Sequence, residues 1–63
     1  MIIKKMSYLL QNQDEDEDED NWSTVKRYED EGDGRDAFKV YAKSYYGHIR
    51  LLDEDRDRVL IKR

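Results

Sequence analysis

Residues 33–47, DGRDAFKVYAKSYYG, decide the fold of this chain. Apolar side chains recur there at i, i+1, i+4, i+5 and i+8, which is the spacing of one face of a helix. They are Ala37, Phe38, Tyr41, Ala42 and Tyr45. Asp33 is placed to cap the first amides of this helix, and Gly47 is placed to end it. The pattern therefore predicts an amphipathic helix over residues 36–46.

The segments on either side of this helix have the alternation, or the β-branched and aromatic content, of strands. They are residues 2–10, 22–28, 48–52 and 58–62. The second of them alternates less cleanly, which leaves a bulge or a helical turn open, and in the last one Val59 and Ile61 are expected on one face. We predict a single α+β domain over residues 1–63, in the order β-β-α-β-β, with the helix on one face of a small antiparallel sheet of three to four strands.

One helix covers only one face of such a sheet, so the other face is left open. The side chains expected on that face are both apolar and basic: Ile3, Lys5, Leu9, Arg50, Leu52, Leu60 and Lys62. A chain of 63 residues buries only a small apolar core. Leucine and isoleucine side chains exposed on the open face would reduce the buried apolar area further. The open sheet face therefore indicates a partner or a homodimer.

Charge is segregated along the chain. There are 16 Asp and Glu residues against 12 Lys and Arg, a formal net charge of −4. All the acids lie in three segments, residues 11–21, 29–36 and 53–58. The first segment contains an unbroken run of Asp14, Glu15, Asp16, Glu17, Asp18, Glu19 and Asp20. Such a run repels itself, so we expect a solvated, flexible loop over residues 12–21.

The residue types needed for most enzymatic chemistry are missing or misplaced. The chain has no Cys and one His, which excludes a thiolate zinc site and a multi-histidine metal site. A calcium-binding EF-hand loop that begins at Asp14 would have Glu19 in place of its glycine and Val25 in place of its last glutamate. His48 has no serine nucleophile placed beside it. We therefore expect no enzyme, no metal site and no cofactor.

Membranes and nucleic acids are both disfavoured as direct partners. The longest apolar runs span three residues, too few to cross a bilayer, and Lys4 and Lys5 are not followed by the apolar core of a signal peptide. Basic residues lie between the acidic segments, but the tyrosines follow the core pattern and the acids would repel a phosphate backbone. We therefore expect neither membrane binding nor direct binding to nucleic acid.

Carboxylates displayed on a small rigid domain can act on other proteins. They resemble the regularly spaced phosphates of DNA and attract sites built from Lys and Arg. The predicted topology separates two acidic ends by about 20 Å, and Trp22 follows the acidic run as a candidate anchor. The candidate partner-binding residues are Asp14, Glu15, Asp16, Glu17, Asp18, Glu19, Asp20, Trp22, Glu29, Asp30 and Glu31. In the alternative interpretation the acids only confer solubility and Trp22 simply begins a strand.

In outline the chain resembles small bacteriophage early proteins. The likeness lies in the short length, the absence of Cys, the sheet with one helix and the acidic run 14–20. Several such families inhibit host nucleic-acid enzymes as DNA mimics, among them uracil-DNA glycosylase inhibitors, anti-restriction proteins and some anti-CRISPRs. The order Tyr8-Leu9-Leu10-Gln11, acidic turn, aromatic strand, helix and strand is similar to one dimeric glycosylase-inhibitor family.

The resemblance implies an inhibitor that binds a basic nucleic-acid-binding host protein in the cytoplasm of a bacterial cell. No individual residue role follows from it. Two other functions stay open on the sequence: a structural or regulatory module that contacts its partner through the open sheet face, and a nucleic-acid-binding protein that uses its basic scaffold.

Overall fold

The computed structural model describes residues 6–14 and 21–63, which form one sheet and one helix. The elements in chain order are β1 (Tyr8–Gln13), β2 (Ser23–Tyr28), α1 (Glu31–Ala42), β3 (His48–Asp53) and β4 (Arg58–Lys62). The strands pair in the order β2-β1-β3-β4, and each neighbouring pair is antiparallel. This α+β arrangement confirms the predicted order of elements. The expectations for Ile3 and Lys5 fall outside the described residues.

Helix α1 begins earlier than the sequence pattern predicts. Its N-cap is Asp30, whose carboxylate accepts a hydrogen bond of 2.8 Å from the backbone N–H of Gly32. The prediction of Asp33 as the cap was therefore wrong, and Asp33 lies in the first turn instead. The next glycine, Gly34, is buried inside the helix because α1 approaches the sheet closely there: a Cβ on it would lie 3.1 Å from a methyl group of Leu51.

The helix also ends earlier than predicted, at Ala42 rather than at residue 46. The N–H of Lys43 donates to the carbonyl of Val40 across 3.2 Å, which tightens the last turn. The guanidinium of Arg63 donates to the carbonyl oxygens of Ala42 and Tyr45. Arg63, which follows β4, therefore supplies the hydrogen bonds that these exposed carbonyls need. No glycine is required at the position after the helix.

The core lies between α1 and the sheet. Phe38 of the helix packs on alternate residues of the two central strands: Tyr8, Leu10, Ile49 and Leu51. Ile49 and Leu51 retain no exposed surface. Tyr41 and Tyr45 stack with ring centroids 5.2 Å apart, so Tyr45 joins the helix stripe although it lies beyond the helix.

Strand β1 continues past Leu10, where the sequence pattern ended it, to Gln13. The polar residues Gln11 and Gln13 are buried, and the side-chain amide of Gln11 donates to Thr24 while accepting from Arg50. Because these amides are hydrogen-bonded within the sheet, burial costs little. The expected loop over residues 12–21 is correspondingly shorter at its beginning.

Both edge strands contain a one-residue bulge. In β2 the extra residue is Val25, and in β4 it is Leu60. The bulge places Leu60 and Ile61 together against the core, while Val59 pairs with Leu52 on the other side of the sheet. The predictions of Leu60 on the open face, and of Val59 beside Ile61, were therefore wrong.

The side of the sheet away from α1 has no helix over it. We call it the open face, and its described side chains include Leu9, Gln11, Gln13, Trp22, Thr24, Arg27, His48, Arg50, Leu52, Val59 and Lys62. The pairing of Tyr8 with both Tyr28 and Asp53 brings the β2–α1 junction and the β3–β4 turn to one end of the sheet. Asp14 lies at the opposite end, as the topology predicted.

Candidate functional site

Two acidic segments that are distant in sequence meet at one end of the sheet. Residues 29–36 and 53–58 together contain nine acids and three arginines, a formal charge of −6. We call this region the acidic end. It lies around Tyr8, which pairs with the last residue of β3 and lies beneath the start of α1.

The phenol of Tyr8 responds to charges from both segments. Burial raises its pKa above the usual value, and the neighbouring carboxylates of Asp53 and Glu31 raise the pKa further, with Arg56 opposing them. A negative charge on this ring would be desolvated and would face like charges from two loops. Carboxylates of the helix start and of the β3–β4 turn therefore both lie close enough to Tyr8 to act on its phenol.

Part of the acidic end is neutralised by the chain's own arginines. Arg27 pairs with Glu54 across 3.2 Å, and Arg35 pairs with Glu31 across 2.8 Å, one turn apart on the helix. Both pairs are largely exposed, so each contributes little to stability and can be exchanged for contacts with a partner.

The acids of the β3–β4 turn mainly hold the turn together. Asp53 is only 2 % exposed, accepts a hydrogen bond from the backbone N–H of Arg56 and lies 3.8 Å from that residue's guanidinium. Asp55 accepts a hydrogen bond of 2.8 Å from the backbone N–H of Ser7. The turn thus uses these two carboxylates for its own structure.

Further exposed carboxylates lie at the start of α1. Glu29, Asp30 and Glu31, which the sequence singled out, are all exposed there. Asp30 uses one carboxylate oxygen for the cap, and Glu31 uses one for its ion pair. Asp33 and Asp36 are also exposed, and neither forms an ion pair with any residue that the structure describes. Neither was among the residues predicted to bind a partner, because Asp33 was expected to cap the helix and Asp36 to begin it, although their i, i+3 spacing places them side by side on a helix.

The other predicted site residues do not join this surface. Asp14 lies at the opposite end of the sheet and accepts a hydrogen bond of 2.8 Å from the hydroxyl of Tyr45. The predicted residues Glu15, Asp16, Glu17, Glu19, Asp18 and Asp20 lie outside the described part of the chain. Trp22 lies on the open face, so the predicted set is divided between at least two surfaces.

The open face carries a stack of cations on an aromatic ring. The guanidinium carbon of Arg50 lies 4.2 Å from the centroid of Trp22, and the ammonium of Lys62 lies 5.9 Å from it. The Nε of Arg50 donates to the side-chain oxygen of Gln11 across 2.7 Å, and the amide nitrogen of Gln11 donates to the hydroxyl of Thr24 across 3.2 Å. Burial lowers the pKa of Arg50, and the charge of Asp57 opposes that change.

The helix side of the sheet has an apolar groove at its β2 edge. It has a volume of about 470 Å³ and lies between β2 and α1, with Lys26 and Asp36 at its rim. Val25 and Val40 border it and are 44 % and 68 % exposed. The groove arises because α1 packs mainly over the central strands and leaves the edge strand partly uncovered.

Two kinds of site are not found among residues 6–14 and 21–63. No three His, Cys, Asp or Glu side chains converge there in a way that could hold a metal ion. No helix in this part of the chain is long and apolar enough to span a bilayer.

Comparison with protein-family models, with curated proteins and with solved structures finds no significant match to this chain. The fold and the surfaces described above define a small α+β protein with an acidic end and a basic, aromatic open face.

Proposed function

We propose that the protein is a non-enzymatic inhibitor that binds a basic nucleic-acid-binding protein of a bacterial host through its carboxylates. One observation carries the proposal: two acidic segments, whose own residues sum to a formal charge of −6 before Arg27 pairs with Glu54, lie together at the end of the sheet around Tyr8. A site that grips phosphates with Lys and Arg would be attracted to such a surface. The place of action would be the cytoplasm of the host.

The rigidity of the acidic end favours this function. Asp33 and Asp36 project from the first turns of α1, and the cap at Asp30 fixes the direction of the helix start. Carboxylates held on a helix lose little freedom on binding, whereas charges on a flexible chain must be ordered first. Asp14, at the other end of the sheet, begins an acidic run over residues 14–20 whose charge would add to the attraction.

The partner would be recognised by its own charge. Because the attraction is electrostatic, it speeds association most and weakens as salt rises. A DNA duplex and this protein would compete for the same cationic site. Solubility remains the simpler role for the acids, and it predicts no competition.

The proposal is tested by capture from the heparin-binding fraction of a bacterial lysate. The immobilised proteins would be the native chain, Asp33→Asn/Asp36→Asn, and a matched control near the C-terminal end of α1, Lys39→Gln/Lys43→Gln. We expect the native chain and the control to retain a DNA-processing protein, and the acid variant to lose most of it. Equal capture by all three chains would overturn the proposal.

A homodimer through the open face is a second arrangement, favoured by the at least partly exposed apolar side chains of Leu52 and Val59, whereas Leu9 on the same face is only 8 % exposed. Two-fold packing of this face would also bring Arg50 and Lys62 of both copies together, which is repulsive. A dimer of this kind should therefore strengthen as salt screens that repulsion. Light scattering at low and high salt measures the molar mass directly.

A further inference from the structure

We infer that the open face binds single-stranded nucleic acid, with the stack of Arg50 on Trp22 as the platform for a base. The open face and the acidic end meet at the ion pair of Arg27 with Glu54, and the stack of Arg50 on Trp22 contains no residue of the acidic end. The sequence interpretation disfavoured nucleic acid partly because the aromatic residues follow the core pattern, but Trp22 lies outside the core cluster.

The charged side chains described on this face are all basic, and two acids act at its border: Glu54 pairs with Arg27, and the charge of Asp57 reaches Arg50. The described side chains of the open face include the bases Arg27, Arg50 and Lys62 and no acid. Arg50 and Lys62 are direct partners across β3 and β4, so their charges lie side by side. Although the whole chain is acidic, this surface is complementary to a polyanion.

The aromatic ring adds what a charged surface alone lacks. A guanidinium plane over an indole forms a flat surface on which an unpaired base can stack, and such stacking tolerates any base. Lys62, with its ammonium 5.9 Å from the same ring, is placed to contact an adjoining phosphate. Stacking and a phosphate contact are the two elements from which sequence-tolerant single-strand sites are built.

Hydrogen bonds hold this platform in place before a ligand arrives. Arg50 is fixed by Gln11, and Gln11 is fixed in turn by Thr24 on the neighbouring strand. The three residues come from β3, β1 and β2, so the chain of bonds spans the sheet. A long, flexible side chain that is already ordered loses less entropy on binding.

Other occupants fit this surface less well. A second copy would bring like charges together, and an acidic peptide would leave the stacking surface unused. A duplex keeps its bases stacked inside, out of reach of a ring on the surface of a sheet. An unpaired strand is the polyanion that satisfies both the charge and the ring.

The single tryptophan of the chain reports on this face directly. Titration of the full chain with an oligothymidine of about 12 nucleotides should quench the emission of Trp22, with an affinity that falls as salt rises. Arg50→Gln/Lys62→Gln should weaken binding by about tenfold or more, whereas the charge-matched Lys39→Gln/Lys43→Gln should change it less than about twofold. Anisotropy of the labelled strand gives the same affinities without relying on Trp22.

Three results would overturn the inference: no binding by the native chain at low salt, equal losses in both double variants, or equal affinity for duplex DNA or polyglutamate. Thermal unfolding of each variant shows whether it is folded. If Arg50→Gln/Lys62→Gln is unfolded, Arg27→Gln/Lys62→Gln leaves the stack intact and should still weaken binding several-fold. Arg50→Lys, which keeps the charge and loses the plane, should bind less tightly than the native chain, and unchanged binding would contradict the stacking role.

Discussion

The guanidinium of Arg50 lies 4.2 Å above the ring of Trp22 on the side of the sheet that α1 does not cover. This contact joins β3 to the residue just before β2, across the whole width of β1. It gives the open face an ordered centre on the side of the sheet opposite the core cluster around Phe38.

Removing the cation should expose Trp22. In Arg50→Gln, the emission maximum of Trp22 should move to longer wavelength, and the free energy of unfolding should fall by about 1 kcal/mol because a cation–π contact and a hydrogen bond are lost. Fluorescence and urea unfolding measure the two effects. Lys62→Gln, whose ammonium lies farther from the ring, serves as the control and should show less than half of each change.

The position of the helix cap can be checked by two alanine variants. Asp30→Ala should lower the free energy of unfolding by about 1 kcal/mol, because the N–H of Gly32 loses its acceptor. Asp33→Ala should stay within about 0.5 kcal/mol of the native chain, since its side chain caps nothing. Urea unfolding would contradict the observed cap if the two losses were equal or reversed.

Two glycines should respond in opposite ways to alanine. A Cβ at Gly47 would lie 2.6 Å from the carbonyl oxygen of Gln13, so Gly47→Ala should cost about 1–3 kcal/mol. A Cβ at Gly32 would meet only the carboxylate of Asp30 at 3.3 Å, and alanine favours a helix. Gly32→Ala should therefore leave stability unchanged or raise it by up to about 1 kcal/mol, as thermal unfolding can show.

Stability should fall at alkaline pH through Tyr8. Its pKa is raised in the fold, so the folded protein holds the phenolic proton more tightly than the unfolded chain does. The unfolded chain loses this proton near its ordinary pKa of 10.0, whereas the folded protein keeps it to higher pH. The free energy of unfolding is therefore unaffected below pH 10 and falls as the pH rises from there through the raised pKa of the folded state. Tyr8→Phe removes this contribution, so the difference in unfolding free energy between the two chains should change above pH 10 and stay constant below it. A constant difference across that range would contradict the assignment.

The acidic run separates the two proposed binding activities. Replacing residues 14–20 with Ser and Asn removes seven carboxylates just before Trp22. Capture of a basic partner should weaken, because part of the attraction is lost, while affinity for an oligothymidine should rise severalfold, because a nearby repulsion is gone. Filter binding and capture on the same pair of chains measure both. A fall in both affinities would show that the replaced run supports the fold or the open face.

The order of the elements could be predicted because it depends on local patterns. The stripe from Ala37 to Tyr45 and the alternation in β3 are visible in the sequence alone. The helix start could not be predicted, because Gly34 resembles a helix breaker until its approach to Leu51 is known. A glycine that makes room for a neighbouring strand cannot be distinguished from a loop glycine without tertiary contacts.

The two surfaces differ in how far the sequence predicts them. The acidic end follows from charge segments plus topology, and the sequence indicated both. The stack of Arg50 on Trp22 depends on the extension of β1 to Gln13 and on the pairing of three strands. Gln11 and Gln13 are polar, so the sequence pattern ended the strand before them. The hydrogen-bond partners that allow their burial in β1 are distant in sequence and could not be predicted.

Competition with DNA tests the central claim most directly. A basic nucleic-acid-binding protein captured by this chain would be loaded with labelled duplex DNA and titrated with the native protein. We expect the DNA to be displaced, with Lys39→Gln/Lys43→Gln as effective as the native chain and Asp33→Asn/Asp36→Asn much weaker. DNA that stays bound while the captured protein holds both ligands would contradict the proposal that these carboxylates occupy a phosphate-binding site.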